Sequence, residues 1–142
     1  MFEVLESRNR RKSLDGDDSV GQLAIYDRTA SGNTKPLRVI RGSKTLLSHP
    51  QLLATTYSPK GWILAAVWGS EFGETSESSE NSLVGVFSIY DNGNVAPHWT
   101  IGGPNGILRQ ARSVALDVKN KTVIISDKAL NAVLSFEFPE IF

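Results

Sequence analysis

The best-defined chemistry in the chain lies in five polar residues, His49, Gln51, Arg109, Gln110 and Arg112. They fall in two short runs, just before or at the start of two β-type segments at 52–57 and 113–118. Guanidinium groups beside a histidine and two amides can bind a carboxylate or phosphate through charge-assisted hydrogen bonds. The same residues would serve equally as the polar lining of a solvated channel. A histidine acting as general base needs an orienting carboxylate and a substrate-sized cleft. The counterpart of His49 one repeat later is Gln110, so neither a metal nor a catalytic pattern recurs. His98 belongs to an outer segment, away from such a channel. No catalytic residue, metal ligand or cofactor is assigned.

Other candidate motifs are weaker. Asp15-Gly16-Asp17-Asp18 clusters the hard oxygen ligands that calcium prefers, but it lacks the alternating ligands and distal Glu of an EF-hand loop. It reads as a solvated acidic turn. Arg8, Arg10, Arg11 and Lys12 lack interleaved aromatics and precede three acids, so no nucleic-acid site is expected. No nucleophile elbow, phosphate loop, zinc spacing or dinucleotide fingerprint is present. Cysteine is absent, which removes disulfides and thiolate chemistry. Fifteen basic residues balance fifteen acidic ones, so no global field attracts nucleic acid or an anionic membrane. No apolar run approaches the ~20 residues of a membrane span, and the first residues lack a signal-peptide core. As given, the chain reads as soluble and unexported; as a piece of a longer protein it could be exported.

The elements that must position these residues are short and β-like. Segments rich in β-branched and aromatic types, bounded by Gly, Pro, Asn and Asp, fall at 2–6, 22–26, 37–40, 52–57, 62–67, 84–90, 98–101, 113–118, 122–126 and 132–138. The one helical candidate, 45–53, is interrupted by Pro50. Ser58-Pro59-Lys60-Gly61, Val118-Lys119-Asn120-Lys121 and Asp91-Asn92-Gly93-Asn94 read as tight turns. Segments 62–67, 84–90 and 122–126 do not alternate apolar with polar. That pattern indicates burial on both faces, as in stacked sheets.

The chain also repeats itself. Ile25-Tyr26-Asp27, Gly32-Asn33, Pro36, Ile40 and Gly42 return as Ile89-Tyr90-Asp91, Gly93-Asn94, Pro97, Ile101 and Gly103. Such repetition marks a repeated supersecondary unit. Phased on it, one unit is a meander of four antiparallel strands: inner, second, third and outer. The fold class is therefore all-β: β-propeller blades, about two and a half of them, in an incomplete ring. The chain is one partial propeller domain, 1–142, divided into a partial blade at 1–41, a full blade at 51–102 and a partial blade at 112–142 that lacks its outer strand.

The strings IYDRTASGNTKPLRVIRG (25–42), SIYDNGNVAPHWTIGGP (88–104) and SVALDVKNKTVIISDKALNAVLSFEFP (113–139) resemble NHL-like and lactonase-like six-bladed propellers, chiefly of bacteria. The resemblance implies a propeller scaffold and a final blade completed by a strand from the chain's beginning, a strand not evident in this sequence. Its members include lactonases, lyases and pure binding scaffolds, and fold does not choose among them.

Two function classes follow as expectations. One is a non-catalytic scaffold or binding module of unknown small-molecule or protein ligand, forming part of a larger ring. The alternative is a fragment of a lactonase-like or lyase-like enzyme whose metal site is assembled from several blades. The inner strands here offer Asp117 and little else towards such a site. Alternating strand direction gathers the long connections, 7–19, 41–50, 69–82 and 102–111, on one rim, where a site is expected. Exposed blade faces are expected to be apolar and uncapped, hence suited to self-association or completion by a longer chain. The basic run Arg8–Lys12 and the acids Glu71, Glu74, Glu77 and Glu80 sit in equivalent loops, so an Arg10–Glu74 attraction is expected to order them.

Overall fold

A computed structural model describes residues 2–8, 21–56, 60–68 and 82–142. Among these the fold is all-β. Three antiparallel sheets follow one another along the chain and do not close into a ring. The first contains β1 (Phe2–Arg8), β2 (Gly21–Asp27) and β3 (Arg38–Arg41). The middle sheet is a four-stranded meander of β4 (Pro50–Thr55), β5 (Trp62–Val67), β6 (Leu83–Ser88) and β7 (Trp99–Gly102). The last contains β8 (Ala111–Asp117), β9 (Thr122–Asp127) and β10 (Ala132–Glu137). All ten expected strands exist, with ends shifted by a few residues. The helical candidate 45–53 forms no helix: it runs from the end of a 3₁₀ turn, Ser43–Thr45, into β4, and a second such turn, Pro139–Ile141, follows β10. The acidic turn Asp15–Asp18, the basic run Arg8–Lys12 and the loop holding Glu71, Glu74, Glu77 and Glu80 have side chains outside the described residues. So does the expected Arg10–Glu74 attraction.

Packing follows from the alternation of side chains along β5 and β6. Ile63, Ala65, Val67, Leu83 and Phe87 face the first sheet and join Leu23, Ile25, Ile40 and Leu47 in one core. Leu64, Ala66, Val84 and Val86 face the last sheet and join Leu108, Ala111, Val114, Val123, Ile125 and Ile141 in another. The middle sheet is thus apolar on both faces because each face has its own neighbour. β9 differs from expectation. Val123, Ile125 and Asp127 are buried, whereas Thr122, Ile124 and Ser126 are only half-buried, so β9 contributes one face to a core.

The register explains the difference. Ser113, Ser126 and Val133 form one row of the outer face of the last sheet; Ala115, Ile124 and Ser135 form the next, and Asp117, Thr122 and Glu137 a third. This face is mostly small and polar. This end face is less greasy than expected: Ile124 and Val133 are its large apolar groups, set among Ser113, Ser126, Ser135, Thr122 and Glu137.

Successive sheets are also joined at their outer edge. The turn expected at Asp91–Asn94 falls earlier, with the Asp91 N–H donating to the Ser88 carbonyl at 3.0 Å. Residues 92–94 instead run beside β3. The Gly93 N–H donates to the Val39 carbonyl (2.7 Å), and the Arg41 N–H donates to the Gly93 carbonyl (3.1 Å). Asn92 Oδ1 accepts from the Val39 N–H (3.1 Å), and Asn94 Oδ1 from the Lys44 N–H (2.8 Å). Gly42, at φ 131°, has no Cβ because one would overlap the Asn94 side chain. Arg38 adds a bond from Nε to the Ile89 carbonyl at 2.7 Å and lies over the Tyr90 ring. At the next junction Trp99 occupies the matching place, edge-on to Phe138 (5.7 Å) and Trp62 (4.9 Å).

Two turns are tied by carboxylates. Asp27 accepts from the hydroxyl and the N–H of Thr29, and Asp117 from the side-chain amide and the N–H of Asn120. These bonds, the side-chain ones first, hold both carboxyls below the ordinary carboxylate range. Asn120 does not take the left-handed conformation in its turn; Lys121 does, at φ 57°.

Ile63→Ala and Leu64→Ala should each destabilise by about 2–4 kcal/mol, as read from urea unfolding. Although adjacent in sequence, they lie in separate cores, so the double variant should be additive within ~0.5 kcal/mol. A coupling above 1 kcal/mol would mean that the two faces share one core. Because Asp27 and Asp117 titrate lower when folded, their stabilisation is complete above the unfolded carboxylate value of about 3.9 and disappears as pH falls through the depressed folded values. Melting temperature should therefore drop on acidification below about pH 4, and Asp117→Asn should show a shallower drop. Parallel curves for the two proteins would refute the titration.

Candidate functional site

Two β-bulges build the site. In β4 the register with β5 slips between Pro50 and Leu53, and in β8 the register with β9 slips between Ala111 and Ser113. Gln51 stands in the first irregularity and Arg112 in the second, at matching positions of consecutive repeats. A bulge adds an unpaired residue and re-aims its side chain. Here the two bulged residues meet, with Arg112 Nη1 donating to Gln51 Oε1 at 3.2 Å.

Trp68 completes the cluster. It follows β5 immediately, and its N–H donates to the His49 carbonyl at 3.1 Å, which holds the end of β5 to the entry of β4. Gln51 Nε2 reaches the same carbonyl at 3.3 Å. The Arg112 guanidinium carbon lies 5.1 Å from the centre of the Trp68 ring, a cation–π arrangement. The His49 ring is tilted against Trp68 at 6.3 Å. Entry to β4 is fixed from behind by Gly21, where any Cβ would collide with Leu47 and Pro50.

His49, Gln51 and Arg112 are therefore brought together. Arg109 and Gln110 are directed elsewhere. Arg109 turns back on its own loop, with Nη1 donating to the carbonyls of Gly106 (2.8 Å) and Leu108 (3.0 Å). Gln110 is buried, and its backbone bonds the last sheet, donating to Asp127 and accepting from the Lys128 N–H. Sequence reasoning missed Asp127, which is buried and accepts three backbone N–H bonds, from Arg109 (2.7 Å), Gln110 (2.9 Å) and Leu130 (3.0 Å). It missed Trp68 as well. The available signal was the repeat, which aligns Trp68 with Lys128 as the residue that closes onto the inner-strand entry.

The electrostatics of the cluster favour an acceptor. Arg112 Nε and Trp68 Nε1 are buried donors with no hydrogen-bond partner among the described residues. A buried donor left unmatched costs ~1–3 kcal/mol. The only bond the Arg112 guanidinium makes among the described residues is to the neutral Gln51 amide. Elsewhere, a cleft of about 430 Å³ opens at the opposite rim between the ends of β4 and β8, lined by Ala54, Thr55, Thr56, Leu116, Val118, Lys121 and Phe142. His98 bonds Asp91 at 3.1 Å on the outer edge, remote from the cluster. Asp117, the inner-strand carboxylate, is occupied by Asn120. Among the described residues no three His, Asp or Glu side chains gather to hold a metal, and no helix is long and apolar enough to cross a membrane.

No family model, curated protein or solved structure matches the chain.

Asp127→Ala should destabilise by about 2–4 kcal/mol because three backbone donors lose their acceptor together. Chemical denaturation measures this, and a loss within 0.5 kcal/mol of zero would mean that water replaces the carboxylate freely.

Proposed function

We propose that this chain is a non-catalytic binding scaffold of propeller type, whose long-loop rim receives an oxyanion-bearing ligand, a carboxylate or phosphate, at Arg112. One observation carries the reading: two buried donors of one cation–π pair, Arg112 Nε and Trp68 Nε1, have no acceptor among the described residues. An incoming oxygen would relieve both unmet donors, and the guanidinium supplies the charge that makes such bonds short and strong. Stacking on Trp68 holds the guanidinium plane, and Gln51 fixes one of its edges. Pre-positioning of this kind lowers the ordering cost of binding.

The resemblance to NHL-like and lactonase-like propellers agrees with a scaffold that presents its ligand site on rim loops. The reading involves no bond-making chemistry. The guanidinium and indole donors of the cluster are suited to recognition of an oxygen rather than to proton transfer.

Thermal unfolding in citrate or inorganic phosphate, against chloride at matched ionic strength, tests the proposal. The melting temperature of the wild-type chain should rise with anion concentration, by ~2.7 kcal/mol of added stability at a hundred times the dissociation constant. Arg112→Leu should abolish the rise. An equal response in the two proteins would overturn the site.

A further inference from the structure

The cleft at the opposite rim is the open end of a core. Ala54, Leu116 and Phe142 wall it and pack at the same time against the apolar cluster between the middle and last sheets. Val118, largely exposed, extends the apolar lining to the mouth. The volume, about 430 Å³, falls within the roughly 300–1,000 Å³ of sites that take small molecules.

Two polar groups complete the lining. Thr56 Oγ1 accepts from the Trp62 N–H at 2.8 Å, and its own hydroxyl proton has no acceptor among the described residues. The Lys121 ammonium lies 5.7 Å from the centre of the Phe142 ring. No carboxylate pairs with it among the described residues. Asp117, at the start of the same turn, is taken by Asn120.

The repeat shows that Lys121 stands where a glycine is at home. Lys121 immediately precedes β9 as Gly61 precedes β5, and each carbonyl accepts an N–H from the matching strand end. Gly61 accepts from Ile89 at 2.8 Å and Lys121 from Phe138 at 3.0 Å. Both backbones are left-handed, at φ 58° and φ 57°. A Cβ on Gly61 would overlap the Ile89 side chain. In the last sheet the counterpart of Ile89 is Phe138, whose ring lies edge-on to Trp99, and the left-handed position carries a lysine. Residues with long side chains rarely adopt this conformation. Strain present in one repeat and absent from its twin argues for a role of the side chain that bears it.

We propose that this cleft binds a small amphipathic carboxylic acid, its apolar body against Ala54, Leu116, Val118 and Phe142 and its carboxylate met by Lys121 and the Thr56 hydroxyl. Burial of the apolar body supplies most of the affinity, because an exposed ion pair contributes little. The lysine selects the sign of the head group. The site lies at the other end of β4 and β8 from the Arg112 cluster and does not depend on it.

Titration of the isotope-labelled chain with octanoate, followed by amide chemical shifts, tests this. Octylamine is the probe of equal length and opposite charge. Octanoate should shift the amides of Thr55, Thr56, Leu116 and Lys121 saturably, with a dissociation constant on the order of 1 mM. Octylamine should bind about tenfold more weakly or worse. Lys121→Asn introduces a residue that tolerates the left-handed backbone, so it should fold while weakening octanoate about fivefold or more. Lys121→Gly removes the same charge and serves if the asparagine variant is unstable. Arg112→Leu should leave octanoate binding at the cleft unchanged, which separates this site from the one on the long-loop rim. Four results would each overturn the proposal: no saturable shift at the cleft up to about 20 mM, shifts confined to the surroundings of Arg112, equal affinity for the two probes, or unchanged octanoate binding in a folded Lys121 variant.

Discussion

Burial of the middle sheet on both faces is the constraint on which the rest of the structure depends. A sheet whose strands carry Ile63, Ala65 and Val67 on one side and Leu64 and Ala66 on the other is insoluble alone. It becomes stable only between two neighbours, each presenting one apolar face. The chain supplies both, β2 and β3 on one side and β8 and β9 on the other, and the sequence of sheets along the chain becomes the sequence of layers in space. The small polar outer face of the last sheet is consistent with this. Where no neighbour packs in the chain, Ser113, Ser126, Ser135 and Thr122 occupy the positions that β5 fills with aliphatic groups.

Layering also determines where chemistry can sit. With the strands antiparallel, inner-strand entries of consecutive sheets lie on one rim, and equivalent bulges place Gln51 and Arg112 within hydrogen-bond range although sixty-odd residues separate them. Among the described residues, the cluster they form with Trp68 contains donors in excess of acceptors. Its balance is set by backbone irregularity as much as by residue type, because a regular strand would aim one of the two away. Arg109 shows the contrast: three residues earlier, on the loop, its guanidinium is consumed by loop carbonyls.

Much of the fold was legible in the sequence, because each element is local. Short β-branched runs and turn residues locate ten strands, and the unbroken apolar run at Trp62–Val67 announces two-sided burial. Segment 122–126 misled on that point, since Ile124 looks like a core residue in a one-dimensional pattern. Only its pairing with Ala115 and Ser135 shows that it faces outward. The junction was visible as repeated letters, Gly-Asn and Ile-x-Gly, but these read as isolated turns. The contact joins Asn94 of one repeat to Gly42 of the one before it, and no local periodicity encodes that. Of the site, His49, Gln51 and Arg112 could be chosen from their place before the inner strands. Trp68 and Asp127 were missed, because each stands where an apolar strand ends and only the alignment of the repeat, Trp68 with Lys128, marks that place.

Amide hydrogen exchange under native conditions tests the layered arrangement most directly. Strands sealed between two cores should open only with the whole molecule, whereas strands with one open face can open locally. The account predicts that the slowest amides are the hydrogen-bonded ones of Trp62–Val67 and Leu83–Ser88, exchanging together and more slowly than those of Ala132–Glu137. Protection in Ala132–Glu137 that outlasts Trp62–Val67 would contradict it.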